Sequence, residues 1–153
     1  MFIKITKSII YAFIFVAMSI DELVSFHEVS VKPLRSALEL SGIFYYSWVL
    51  IAAPLVVILG LYLIPFLLRL PSKIALRFVV AGAIFVAGAL GTELICGYLA
   101  SNGGLETVEY KFTAALQECM EVAGITLFVI ALLMHVAIVA PSLHLSTAES
   151  VSV

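Results

Sequence analysis

Phe44–Leu68 reads FYYSWVLIAAPLVVILGLYLIPFLL, a run whose only ionisable groups are its tyrosines. A bilayer's hydrocarbon core is about 30 Å thick and an α-helix rises about 1.5 Å per residue, so about 20 apolar residues cross it. The run is long enough. Its backbone N–H and C=O groups would find no water in lipid and must pair within the segment, which selects a helix. A barrel strand would alternate apolar and polar residues, and this run does not.

Outward from it, three further segments have the same character: about Ser8 to Glu28, Ile74 to Ala100, and Phe112 to Ala140. The connections are short. Leu70–Lys73 holds Pro71 and reads as a tight turn, as does Ser101-Asn102-Gly103-Gly104. The longest connection is Val29–Ile43, where Lys32-Pro33-Leu34 is expected to open a short interfacial helix that Gly42 closes. Pro54, Gly60 and Pro65 are expected kink points in the second span. The tail Pro141–Val153 is polar and expected to fray. The fold expected is an all-α integral membrane four-helix bundle, a single transmembrane domain over residues 1–140.

Composition agrees. The chain of 153 residues is 63% hydrophobic and 12% charged, with mean hydropathy +1.20. Soluble domains run near 45–50% apolar and about 25% charged. An ordinary soluble domain and a disordered chain are excluded. The formal charge of −2 offers no basic footprint for nucleic acid. Two cysteines give neither zinc spacing nor a disulfide framework. A rival reading of the start takes Lys4, Lys7 and the apolar stretch after them as a signal peptide cleaved near Ala17-Met18-Ser19. Met18 with Ile20-Asp21 makes an indifferent cleavage site, and helical patterning continues past it, so a retained span is the reading adopted.

Orientation follows the lysines and arginines near span ends. Lys4, Lys7, Arg69, Lys73 and Arg77 fall on one side, and Lys32, Arg35 and Lys111 on the other. The bias places both termini in the cytoplasm. Tyr45, Tyr46 and Trp48 then form an aromatic anchor at the outer end of the second span.

The carboxylates inside the spans carry the most information. Charge in hydrocarbon is costly, so such groups face the bundle interior, pair, and mark function by default. The candidate set is Asp21, Glu22, His27 and Glu28 on the first span, Glu93 on the third, and Glu118 and Glu121 on the fourth. Helix rise puts Asp21 about 21 Å above the inner boundary, Glu93 about 24 Å and Glu118 about 20 Å, so three helices bring carboxylates to one level. At about 100° per residue, Asp21, Ser25 and Glu28 share an arc. Glu93 shares a face with Gly82, Ala89, Cys96, Gly97 and Ala100, small residues that let membrane helices approach. Glu118 and Glu121 are i,i+3 neighbours, with Gln117 beside Glu121. No cationic side chain within the spans is placed to neutralise the cluster, so it holds protons or binds a cation.

Three functions fit. Hard oxygen ligands with one imidazole suit a divalent metal, Fe, Mn, Zn or Mg. Carboxylate-bridged metal sites in four-helix bundles use Glu and Glu-x-x-His pairs; Glu118-Cys119-Met120-Glu121 has the spacing without the His. A redox or hydrolytic site is then conceivable, but no residue identifies a reaction, and whether the chain is an enzyme stays open. Protonated carboxylates can also simply hold helices together, as in an accessory subunit of a larger membrane complex, each worth about 1 kcal/mol. The third reading is a small cation- or proton-coupled transporter, resembling the small multidrug-resistance exporters in architecture only; its size would favour a homodimer. Expected partners are the lipid bilayer and either a second copy or a larger complex. The remaining groups have ordinary readings. His135 is a core or interfacial histidine, His144 lies in the tail, and Cys96 and Cys119 are packing residues.

Three blocks carry a resemblance: Ser19-Ile20-Asp21-Glu22 with His27-Glu28, then Gly88-Ala89-Leu90-Gly91-Thr92-Glu93, then Gln117-Glu118-Cys119-Met120-Glu121-Val122-Ala123-Gly124. They resemble a group of uncharacterised bacterial multi-pass membrane proteins, from about Ser19 to His135, and Phe66-Leu67-Leu68-Arg69-Leu70-Pro71 fits too. In that pattern Gln117 stands where Glu is usual and Val122 where Met is usual. The resemblance implies a multi-pass topology and singles out the acidic blocks; the group has no established activity.

Overall fold

A computed structural model describes residues 26–139, together with Phe13, Val16, Ala17, Ser19, Ile20 and Val24 upstream. The side chains of Phe26, His27, Glu28 and Ser30 lie outside that description. So do most of the expected first span 8–28, the cleavage alternative within it, Lys4, Lys7, and the tail 141–153.

Every regular element among the described residues is helical. In chain order they are α1 (Phe26–Ala37), a 3-10 turn (Gly42–Phe44), α2 (Val49–Leu67), α3 (Ser72–Val86), a π-helical segment (Ala87–Thr92), α4 (Glu93–Asn102) and α5 (Val108–Val139). Among the described residues three helices are long and apolar enough to cross a membrane: Val49–Leu67, the continuous stretch Ser72–Asn102, and Val108–Val139. Leu55, Val57, Ile58 and Leu61 are each about three-fifths exposed along α2. A continuous apolar surface of that kind belongs against lipid, not water.

The connection before α2 differs from expectation. Lys32 and Pro33 do not open a helix; they lie inside α1. Nor does Gly42 close it. The chain leaves α1 through Glu39, at φ 51°, with the amide of Leu40 donating to the carbonyl of Arg35 at 3.0 Å. This is a left-handed helix cap with glutamate where glycine is usual. Gly42, at φ 62°, instead begins the 3-10 turn, and its amide donates to Ser101 Oγ at 3.1 Å. α2 runs continuously through Pro54, Gly60 and Pro65.

α3 starts where Pro71, extended at ψ 134°, turns its carbonyl to accept from the amides of Ile74 (2.8 Å) and Ala75 (3.0 Å). α3 and α5 then form the main helix pair. Ile74, Phe78 and Ala131 make its buried core, with Leu67, Leu70 and Phe128 against them. The rings of Phe78 and Phe128 meet edge-on at 5.2 Å. Farther along, a Cβ at Gly124 would stand 2.7 Å from Phe85 Cβ and 2.8 Å from its backbone nitrogen. One at Gly88 would stand 2.9 Å from Met120 Cβ. Lipid offers no hydrophobic drive to bring helices together, so close backbone contact of this kind is what joins them.

Between α3 and α4 the backbone takes on π geometry, and this changes which face is inside. Along the inward stripe the fully buried positions are 74, 78 and 81 in α3, 88 and 92 in the π segment, and 93, 96 and 97 in α4, with half-buried positions 75, 84, 85, 86, 89, 90 and 94 beside them. The wider π turn rotates the stripe by about one residue, a local adjustment typical of π segments. The expected common face of Gly82 with Glu93 therefore does not hold. Gly82 is exposed with nothing near its missing Cβ, while Glu93, Cys96 and Gly97 are buried.

Candidate functional site

Tyr45, Tyr46 and Trp48, the expected aromatic anchor, join several elements at one end of the molecule together with Ser47. The Arg35 guanidinium of α1 lies over the Tyr45 ring at 4.1 Å. The hydroxyls of Tyr46 and Tyr110 of α5 are 2.6 Å apart. Ser47 is fully buried, and its hydroxyl donates to the carbonyl of Val31 at 2.9 Å. The indole Nε1–H of Trp48 donates to Glu93 Oε1 at 3.0 Å. The 3-10 turn sits directly on α4, where a Cβ at Gly97 would stand 2.9 Å from the carbonyl oxygen of Ile43. Only glycine allows that approach.

Glu93 is the centre of this layer. It is the first residue of α4 and 9% exposed, inside a spanning helix. Before it, Thr92 Oγ1 donates to the carbonyl of Gly88, filling an acceptor in the widened π turn. One turn beyond it, Cys96 is buried and its thiol lies 3.9 Å from Gln117 Oε1 of α5. Glu93, Cys96 and Gln117 thus form a polar strip between α4 and α5, with the Trp48 indole reaching in from α2. Burying a carboxylate in an apolar helix is costly, and among the described residues its hydrogen-bond donor is the neutral Trp48 N–H.

The other expected residues divide. Glu121 is half-buried beside Gly88, on the inward face of α5, and makes an interaction of its own. Glu118 is exposed. The inward stripe of α5 runs through Tyr110, Gln117, Glu121, Gly124, Phe128, Ala131 and His135, and Glu118 lies about 100° from Gln117 on that cylinder. Asp21 and Glu22 lie outside the described residues, as do the side chains of His27 and Glu28 on α1. Among the described residues no three His, Cys, Asp or Glu side chains stand close enough to hold a metal ion.

Sequence reading missed Trp48 and the π segment as parts of this site, and named Gln117 only as a neighbour of Glu121. Trp48 carries no signal, since nothing in a single sequence pairs it with a residue 45 positions away. The π segment had one: Gly88-Ala89-Leu90-Gly91-Thr92 puts two weak helix formers immediately before a carboxylate.

Comparison with known proteins adds a family. Residues 7–136 match the family described as Domain of unknown function (DUF8692), and the chain belongs to it. No curated protein and no solved structure matches the chain.

Proposed function

We propose that this member of a family of unknown function is a multi-pass protein of the bacterial inner membrane, both termini cytoplasmic, that binds a divalent cation at its outer-half carboxylates. The observation that carries the reading is Glu93, buried in an apolar span with an indole N–H as its hydrogen-bond partner. Glu121 faces the same interior from α5. Two carboxylates are too few for a divalent ion, so the rest of its shell falls to Asp21, Glu22, His27 and Glu28 of the first span. Oxygen donors with one imidazole suit Fe, Mn, Zn or Mg. Glu118, exposed on the opposite flank, is the weakest of the candidates.

A second reading has an observation of its own. The Trp48–Glu93 bond ties α2 to α4, which is what a packing carboxylate in an accessory subunit would do. Metal analysis of the detergent-purified chain separates the two. A metal ion bound in stoichiometric amount and lost in Glu93→Gln supports cation binding, because the amide keeps shape and hydrogen bonding but not charge. Metal-free protein whose Glu93→Gln variant melts like the original supports the packing reading.

A further inference from the structure

The Pro71 end of the molecule carries chemistry that the Glu93 region does not use. There the start of α3 faces the last turns of α5 across an open cleft of about 440 Å³. Its floor is apolar, formed by Ile74, Met134 and Ile138, and its rim is cationic, formed by Lys73 and Arg77. Lys73 and Arg77 are i,i+4 neighbours and lie on one face of α3. The Arg77 guanidinium donates to Met134 Sδ, which holds it across the cleft. A thioether is a weak acceptor and leaves that charge uncompensated. Among the described residues neither cation has a carboxylate within ion-pairing distance. The positive end of the α3 dipole opens at the same place.

We propose that this cleft binds an anionic phospholipid, its phosphate on Lys73 and Arg77 and an acyl chain along Ile74, Met134 and Ile138. The cleft lies at the ends of two membrane-spanning helices, the depth at which headgroups sit. A free phosphate would leave the apolar floor bare, and a neutral apolar ligand would leave two cations bare. One phospholipid satisfies both, and basic pockets between membrane helices recognise headgroups in this way. The proposal is independent of any cation at Glu93.

The test is native mass spectrometry of the full chain in non-ionic detergent, titrated with phosphatidylglycerol or phosphatidylcholine. The expected result is selective retention of phosphatidylglycerol, weakened by added salt. Lys73→Gln with Arg77→Gln should weaken it by about 30-fold, two interfacial charges' worth. Arg69→Gln, on the far side of the turn and outside the cleft, should leave it unchanged. Equal retention of the two lipids overturns the proposal on the original protein alone, whether or not the double variant folds. So does an Arg69→Gln loss as large as that of the double variant. Inorganic phosphate raising the melting temperature as much as phosphatidylglycerol would also overturn it, assigning the cleft to a free anion.

Discussion

Trp48, at the start of α2, and Glu93 of α4 meet across the bundle, so substitution at either end tests their hydrogen bond. Replacing Trp48 with Phe keeps most of the ring and removes the donor to Glu93. The expected cost is about 1–3 kcal/mol, the range for hydrogen bonds to a charged or strongly polar acceptor. Glu93→Gln, which retains the acceptor oxygen, should cost less than Glu93→Ala, which strands the indole N–H and opens a cavity, for about 2–4 kcal/mol. Thermal unfolding in detergent measures all three. If Glu93→Gln is as damaging as Glu93→Ala, the charge on Glu93 matters more than its shape. The contrast between Glu93 and Glu118 also shows how far a sequence reaches at this scale. Both are carboxylates in apolar spans, and the expense of exposing them to lipid argued equally for burying both. Only the phase of each helix against its neighbours decides, and that phase put Gln117, an uncharged residue, on the inner face in place of Glu118.

At the scale of elements, the π segment and the glycines make separable predictions. Deleting Gly91 should close the wide turn to ordinary α-helix while leaving α4 in phase with α3, because the π turn absorbs one extra residue. Glu93 should then stay on the Trp48 indole and Cys96 beside Gln117, so tryptophan fluorescence and the protection of Cys96 from thiol reagents should hold. A shifted spectrum and a reactive Cys96 would show that the turn does not absorb a residue in this way. Gly124→Leu should destabilise by about 1–3 kcal/mol or more, because its Cβ would fall 2.7 Å from Phe85 Cβ. Gly82→Leu, in open space on α3, should leave the melting temperature nearly unchanged. Apolarity located the elements well but not their ends. The spans expected at 44–68, 74–100 and 112–140 are helices at 49–67, 72–102 and 108–139. The α5 helix reaches back into its connection because Thr107 accepts the amide of Tyr110 and caps it, with no change in hydropathy to mark the spot. Before α2 the opposite happens: aromatic residues rich enough to read as span are spent on a turn that grips α1, α4 and α5. The shift of the inward stripe at Ala87–Thr92 was hidden because an ideal helical wheel assumes one constant angle per residue.

For the whole molecule the testable quantity is sidedness. Ser72 and Asn102 begin and end one continuous helix of 31 residues, long enough to put them on opposite membrane faces. With both native cysteines replaced, a cysteine introduced at Asn102 should react with an impermeant maleimide added outside intact cells, and one at Ser72 should react only after the membrane is opened. The reverse pattern would invert the orientation proposed from the lysines and arginines while leaving the helix intact. Labelling at both positions from outside would deny that this helix spans at all.

The turn at Pro71 bears on how the chain enters a membrane in the first place. α2 ends at Leu67 and α3 begins at Ser72, and the few residues between them include Arg69, with Lys73 just beyond. So short a tether keeps α2 and α3 antiparallel neighbours, and carrying its charges across hydrocarbon would cost several kcal/mol. The Pro71 tip should therefore stay on the side from which it was delivered, the two helices lying in the membrane as a hairpin. A truncation that ends inside α3 should leave α2 resistant to alkaline extraction, with Arg69 still on that side.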